Sequence, residues 1–208
     1  MSHFIKVALN FLAQLVIMPL VLLTWLESIL ARNAELVFHT CGQFVSLLPG
    51  LPGAFLRRAY YTLTLERCSP HCHIGFGVLI SHRSTVIDAH TYIGNYALIG
   101  SCHLGEHCLI GSRASIVSGK SLHEKNPDGS WTAFKHDKLA RIHLGKHVWV
   151  GEGAILMADI GEGSCVGSGS VVTTKVKSGV MVTGNPARFV KNYDVPGQES
   201  PVVARVGE

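Results

Sequence analysis

A six-residue repeat runs through the second half of the chain and leaves few folds open to it. From Ile74 onward, an aliphatic residue followed by a small or acidic one recurs at this spacing. The repeats are Ile87-Asp88, Ile93-Gly94, Ile99-Gly100, Leu104-Gly105, Ile110-Gly111, Leu144-Gly145, Val150-Gly151, Ile160-Gly161 and Val166-Gly167, with phase slips after Ile99 and after Leu156. A period of six matches neither the 3.6-residue period of an amphipathic helix nor the sustained alternation of an ordinary strand. It predicts a parallel β-helix with three short faces, each turning one aliphatic side chain inward, and with glycine easing each corner.

A polar insertion between Ser121 and Arg141 interrupts the repeat, which resumes directly afterwards. A long break in a regular solenoid is usually either functional or disordered. Its reactive side chains favour a functional loop; they are His123, Glu124, Asp128, Trp131, His136 and Asp137.

The N-terminal part lacks the repeat and is strongly apolar. This agrees with the composition of the chain, which has 47% hydrophobic and only 15% charged residues. Residues 7–26 carry no formal charge, and a helix needs about twenty apolar residues to cross a bilayer. Because Asn10, Gln14 and Pro19 would then lie at membrane depth, a tilted or re-entrant segment is the alternative. This stretch is too long for a cleaved secretory signal, whose apolar core has about 7–15 residues.

A second apolar stretch, residues 36–56, is followed by Arg57, Arg58, Tyr60 and Tyr61, a mixture typical of a headgroup boundary. We therefore divide the chain into a helical membrane-associated segment (1–65), a β-helix domain (66–191) and a C-terminal tail (192–208). Arginines after the first helix outnumber the lysine before it, so the positive-inside rule places the β-helix on the cytoplasmic face.

Charge and cysteine content exclude some classes of partner. The formal net charge is +4 without a basic stripe, so we expect no nucleic-acid partner.

The cluster Cys68, His71, Cys72 and His73 could imitate a metal site. Structural zinc usually takes two ligand pairs separated by a longer loop, so no metal is expected.

The ordered set of motifs resembles the hexapeptide-repeat acyltransferases, in particular the galactoside and maltose O-acetyltransferase type, over roughly residues 74 to 191. The motifs are Ser121-Leu122-His123, LGKHVWVGEGAIL from Leu144, IGEGSCVGSGSVVT from Ile160 and GNPAR from Gly184. The resemblance implies a left-handed β-helix and a homotrimer with an active site in each cleft between neighbours. It also implies acetyl-CoA or another acyl-CoA as co-substrate.

In that family the loop histidine is the general base, and it corresponds to His123 here. An imidazole can take up the proton that a hydroxyl loses when it attacks a thioester. Glu124 or Asp128 could orient the ring. The positions that match cofactor-binding residues of the family are Trp149, Gly151, Glu152, Gly167, Ser168, Thr173, Thr174, Arg188 and Lys191. Of these, Arg188 and Lys191 are expected to meet phosphates.

The membrane segment departs from the soluble sugar acetyltransferases. It indicates an acceptor at the membrane surface, such as a lipid-linked sugar or an exopolysaccharide precursor, with His82, Arg83 and Glu124 as candidate contacts. Two alternatives remain open. One is a metal lyase of the γ-carbonic anhydrase type, using His103 and His107 or His143 and His147, and the other is a non-catalytic trimeric membrane scaffold.

Overall fold

The computed structural model describes residues 3–31, 33–118, 123–133 and 139–193. Arg32, Ser121, Leu122, His136, Asp137 and nearly all of the predicted C-terminal tail lie outside the described residues.

Three helices precede the repeat: α1 (His3–Leu30), α2 (Leu36–Ser46) and α3 (Gly50–Thr64). One side of α1 packs against α3 and α2 through Ala13, Ile17 and Val21, which are buried at a spacing of four residues. This is the spacing at which side chains share one face of a helix. Pro19 lies inside α1, and its side chain belongs to the exposed part of the helix.

The residues that follow the second apolar stretch do not lie at a headgroup boundary as expected. Tyr60 and Tyr61 are fully buried. Arg57 is also buried, and its Nε donates to the carbonyl of Ile74, 3.1 Å away, in the first coil. Arg58 donates to the carbonyl of Cys72 at 3.3 Å. Because these arginines satisfy backbone oxygens at the end of the solenoid, they join the helices to it and give no signal about membrane sidedness.

The rest of the described chain is a parallel β-solenoid of about six coils, which confirms the predicted fold class. Sheet 1 contains β1 (Arg67–Cys68), β4 (Val86–Ile87), β7 (Cys102–Leu104) and β10 (Ile142–Leu144). Sheet 2 contains β2 (His73–Ile74), β5 (Tyr92–Ile93), β8 (Leu109–Ile110), β11 (Trp149–Val150), β13 (Cys165–Val166), β15 (Val180–Thr183) and β16 (Arg188–Asn192). Sheet 3 contains β3 (Leu79–Ile80), β6 (Leu98–Ile99), β9 (Ser115–Ile116), β12 (Ile155–Leu156) and β14 (Val171–Val172).

The repeated aliphatic side chains form the core, as the sequence predicts. Ile93 pairs with Ile110, which pairs with Val150, and all three are essentially inaccessible to solvent. Equivalent columns line the other two sheets. The polar insertion does not disturb this register, because Ile142 pairs with Cys102 across it.

The glycines of the repeat have a different role from the predicted one. A Cβ atom on Gly151 would lie 2.4 Å from the backbone nitrogen of Ser168 in the next coil, so these glycines permit close approach between coils. The left-handed corner positions come later in each turn, and histidine, tyrosine or arginine fills several of them. These non-glycine residues with positive φ are His90, Tyr96, His107, Arg113 and His147.

The three edges between sheets differ in regularity. Corner 1–2, which joins sheet 1 to sheet 2, and corner 2–3 keep the same two-residue turn in the sequence of described coils. Corner 3–1 contains both predicted phase slips, and the insertion follows β9 at the same edge. The variable corner is therefore the part of the solenoid that can carry a site without disturbing the core.

Candidate active site

The described part of the insertion is a short antiparallel hairpin. Lys125 and Trp131 form a bridge. The backbone nitrogen of Glu124 donates to the Thr132 hydroxyl at 2.9 Å, and the nitrogen of Thr132 donates to the Glu124 carbonyl at 2.8 Å. This ladder holds His123 at the base of the hairpin.

The tip of the hairpin is a turn built around Asp128. Its Oδ1 accepts hydrogen bonds from the backbone nitrogen of Ser130 at 2.9 Å and from the Ser130 hydroxyl at 2.6 Å. These bonds lower the pKa of Asp128 because they stabilise the ionised carboxylate. Asp128 therefore fixes the turn, whereas the sequence suggested that it could orient the imidazole.

The imidazole of His123 is oriented by the backbone. Its Nδ1 lies 2.8 Å from the carbonyl oxygen of Thr132. A carbonyl oxygen can only accept, so Nδ1 carries the hydrogen and, in the neutral ring, Nε2 holds the lone pair. The side chain is exposed. Glu124, named as a possible orienting and acceptor-binding residue, is exposed on the same strand of the hairpin.

Corner 3–1 carries both the insertion and part of the predicted cofactor set. The loop closes at its base, where the nitrogen of Ala140 donates to the Ser118 carbonyl at 3.0 Å. Thr173 and Thr174 follow β14 at the same corner, farther along the solenoid. A cavity of about 470 Å³ at the C-terminal end is lined by Thr174 and Arg188.

Two lysines, Lys175 and Lys177, also line this cavity. Together with Arg188 they place three positive charges at one end of the solenoid, suited to a phosphate-bearing ligand. Lys191, the other predicted phosphate contact, is exposed on β16 with its Nζ 5.0 Å from the centre of the Tyr193 ring.

The remaining predicted cofactor residues lie at or next to corner 2–3. Trp149 points outward from β11 and is 56% exposed. Gly151 stacks on Gly167 in the next coil, with the Gly151 nitrogen donating to the Val166 carbonyl at 2.7 Å. Glu152 and Ser168 are exposed beside them. A single chain therefore keeps the predicted cofactor residues on two different edges.

His82 and Arg83, the other candidate acceptor contacts, bind groups of the helices. His82 is buried, and its Nδ1 lies 2.8 Å from Oε2 of Glu35. Arg83 forms an ion pair with Glu27 and donates to the carbonyl of Ala34 at 2.8 Å. Both side chains thus attach the helices to the solenoid. The sequence placed them on an early coil correctly but could not show that helices cover that coil.

The histidines considered for a metal lyase lie on two parts of the solenoid. His103 accepts or donates a 2.8 Å hydrogen bond with Asp88 on sheet 1. His107 stacks on His147 at corner 1–2, with ring centres 5.0 Å apart. Within the described ranges, no group of three or more histidine, cysteine or acidic side chains is arranged to hold a metal ion.

The Cys68 cluster does not converge either. The sulfurs of Cys68 and Cys72 are 3.7 Å apart and buried. His71 instead stacks against His90, with ring centres 6.1 Å apart, and His73 stacks against Tyr92 at 4.8 Å.

Known structures share this architecture. A hexapeptide-repeat acetyltransferase from Vibrio cholerae, in complex with acetyl-coenzyme A, superposes with a TM-score of 0.56 at 21% identity, covering 78% of this chain and 91% of that one. A maltose O-acetyltransferase from Clostridium difficile gives 0.54 at 15% identity, covering 76% and 86%. Among sequences, a chloramphenicol acetyltransferase from Klebsiella aerogenes is 33% identical over 104 residues, which are 42% of this chain and 50% of that protein. The chain is a hexapeptide-repeat solenoid that is similar to these acetyltransferases.

This relationship confirms the resemblance seen in the motifs. No family model matches this hexapeptide-repeat chain. It spans 50% of the length of the Klebsiella aerogenes enzyme and 29% of the length of a serine acetyltransferase from Arabidopsis thaliana. The structural likenesses, at identities below 25%, establish the fold.

Proposed function

We propose that this chain transfers an acyl group from acyl-CoA, with acetyl-CoA as the expected donor, to a hydroxyl group of an acceptor at the membrane surface. The observation that carries the proposal is the orientation of His123. Its Nδ1 is committed to the Thr132 carbonyl, which leaves Nε2 as the atom able to take a proton. A general base requires this arrangement.

In the proposed reaction, Nε2 of His123 removes the proton of the acceptor hydroxyl as its oxygen attacks the thioester carbonyl. A carbon–oxygen bond forms, and the carbon–sulfur bond then breaks. The imidazolium returns its proton to the departing thiolate of coenzyme A. No nucleophilic serine or cysteine of the protein is needed.

For the co-substrate, we propose that Thr173, Thr174 and Arg188 bind acyl-CoA at corner 3–1, with Lys175 and Lys177 adding positive charge. The complex of the Vibrio cholerae relative with acetyl-coenzyme A supports this choice of donor. Since Trp149, Gly151, Glu152, Gly167 and Ser168 lie at a different edge, we propose that they contribute from a neighbouring copy.

A homotrimer would supply that neighbour. Outward-facing apolar side chains on sheets 2 and 3 give it contact surfaces; they are Tyr92, Leu98, Leu109, Trp149 and Ile155, between 38% and 56% exposed. Exposed apolar residues on adjoining faces are typical of subunit contacts.

We propose a lipid-linked sugar or an exopolysaccharide precursor as the acceptor. The proposal rests on α1, which contains a stretch, Ala8–Leu30, that is long and apolar enough for membrane contact. Because coenzyme A is a cytosolic metabolite, the solenoid would face the cytoplasm.

The test is thiol release from acetyl-CoA by the full chain in detergent or vesicles, with a panel of sugar and lipid-linked acceptors. We expect acceptor-dependent release that persists in the presence of chelators. Failure to bind any acyl-CoA would favour the non-catalytic scaffold, and activity that needed added zinc would favour the lyase.

A further inference from the structure

Every exposed side chain of α1 in the part that the structure describes, Ala8 to Leu30, is apolar. Between Ala8 and Leu30 the exposed side chains are Ala8, Phe11, Leu12, Leu15, Val16, Pro19, Leu22, Leu23, Trp25, Leu26, Ile29 and Leu30. A helix on the surface of a water-soluble domain shows the opposite pattern, with polar residues outward. We call these residues the outer face of α1.

Three polar residues of α1, Asn10, Thr24 and Glu27, form hydrogen bonds with the rest of the protein. Thr24 lies 3.0 Å from the Tyr60 hydroxyl, and Asn10 accepts a hydrogen bond from Arg58. Glu27 accepts hydrogen bonds from the backbone nitrogens of Val37 and Phe38, at 2.7 and 3.1 Å. The protein therefore provides hydrogen-bond partners for these three side chains, which lipid hydrocarbon could not do.

Both ends of α1 are tied to the same end of the solenoid. Near the N-terminal end, Asn10 binds Arg58, which also donates to the carbonyl of Cys72 in the first coil. Near the C-terminal end, Glu27 pairs with Arg83 at the corner after β3. Seventeen residues separate these ties, about 25 Å along the axis.

A bilayer crossing is incompatible with these two ties. If α1 stood perpendicular to the membrane, the first coil would lie beside it within the hydrocarbon. That coil exposes Glu66, Arg67 and His71, and moving such charged and polar groups from water into hydrocarbon is costly.

We infer that α1 lies in the plane of one leaflet of a lipid bilayer, with its outer face in the hydrocarbon and the solenoid projecting into water. An apolar cavity of about 320 Å³ between α1 and α3 continues this surface, lined by Leu12, Val16, Leu51 and Phe55 among others. The inference deepens the membrane attachment included in the proposed function.

Depth measurements on two labelled positions test the geometry. Leu15 and Leu26 are 54% and 51% exposed. They are eleven residues apart, close to three helical turns, so they share one side of the helix about 16 Å apart along the axis. Leu15→Cys and Leu26→Cys are each made in the full chain and labelled with a nitroxide. The protein is added to preformed vesicles of equal parts phosphatidylcholine and phosphatidylglycerol.

Wild-type protein measures background labelling, since all six native cysteines are buried. Ser178→Cys, exposed in the last coil, is the control for a position in water. Depth is read from the relative accessibility of the label to oxygen and to a water-soluble nickel chelate.

An in-plane helix places both labels in hydrocarbon at depths that agree within a few ångströms. A depth difference near 16 Å would show a spanning helix, and labels shielded only at high protein concentration would show contact with a second copy. Either result overturns the inference. Thiol release is measured on the same vesicles. If the two depths agree but no thiol is released, the result counts against the proposed reaction alone.

Discussion

The carbonyl oxygen of Thr132 lies 2.8 Å from Nδ1 of His123, and both residues belong to the inserted hairpin. The ring orientation thus depends on backbone geometry that the hairpin itself fixes. A carboxylate in this position would also stabilise the imidazolium, whereas a carbonyl mainly sets the tautomer and the direction of the ring.

Replacing His123 with Ala should lower kcat by roughly 10²–10⁴-fold, the usual contribution of a general base. Acyl-CoA affinity should change little, because the coil walls remain intact. Turnover is measured by thiol release and affinity by calorimetry. His147→Gly is the control and should leave turnover unchanged. It removes a histidine with positive φ from corner 1–2, not from the insertion. Near-normal turnover of the His123 variant would assign the base to another residue.

Replacing Arg188 with Ala should mainly raise the KM for acyl-CoA, because a phosphate contact is equally present in the ground and transition states. Lys146→Ala removes the same charge from corner 1–2, where Lys146 pairs with Glu106 at 2.8 Å, and should leave this KM unchanged. A fall in kcat at constant KM for the Arg188 variant would contradict a binding role.

Replacing Leu109 with Glu should break the trimer, since a charge would enter the apolar stripe on sheet 2. His143→Glu places the same side chain on the outer surface of sheet 1 and should preserve assembly. Light scattering of the detergent-solubilised variants measures both. A monomeric wild-type protein that still releases thiol would rule out a shared site.

Replacing Arg83 with Met should destabilise the protein by about 3–5 kcal/mol, because it leaves the Glu27 carboxylate, only 7% exposed, without its cation. The double variant with Glu27→Gln should recover part of this loss. Thermal unfolding in detergent gives the free energies. An unchanged stability with a raised KM for the acceptor would restore Arg83 to acceptor binding.

Stability should fall below pH 4.5 through Glu35. Burial raises the pKa of Glu35. Hydrogen bonds from His82 and from the Arg83 backbone lower this pKa by a larger amount, so the net shift is downward from 4.5. A carboxyl whose pKa is depressed by folding contributes its stability above the unfolded pKa and loses it as the pH falls through the folded pKa. Glu35→Gln should flatten the dependence of the unfolding temperature in this range. An equally steep dependence in the variant would exclude Glu35 as its source.

The sequence predicts the solenoid well because its period records a physical requirement. Each inward aliphatic residue, such as Ile93 or Val150, must recur at the spacing of one face. The corner conformation was less predictable: the strained position of His107 follows from backbone geometry, and many side chains tolerate it when the coil is fixed on both sides.

The candidate site was predictable only in part. His123 could be found from its place in the insertion, but no sequence pattern identifies the backbone carbonyl of Thr132 as its partner. The sequence did not predict Lys177 as a site residue, because its position near Arg188 depends on β16 turning back along β15. Likewise, His82 and Arg83 lie on an early coil as expected, yet only the packing of the helices reveals what they bind.

Both ends of the solenoid have their backbone groups engaged, and this limits the length of the stack. At the first coil, the nitrogen of Gly77 donates to the Ser46 carbonyl of α2 at 2.9 Å, and His39 contacts the Ser81 carbonyl at 2.5 Å. At the last coil, β16 pairs antiparallel with β15. Unpaired strand edges recruit further chains, so the helices act as terminators of a one-dimensional polymer. A chain shortened by residues 1–65 would open only the first of these ends, so its copies should associate in pairs through the uncovered first coil, with β16 still covering the other end.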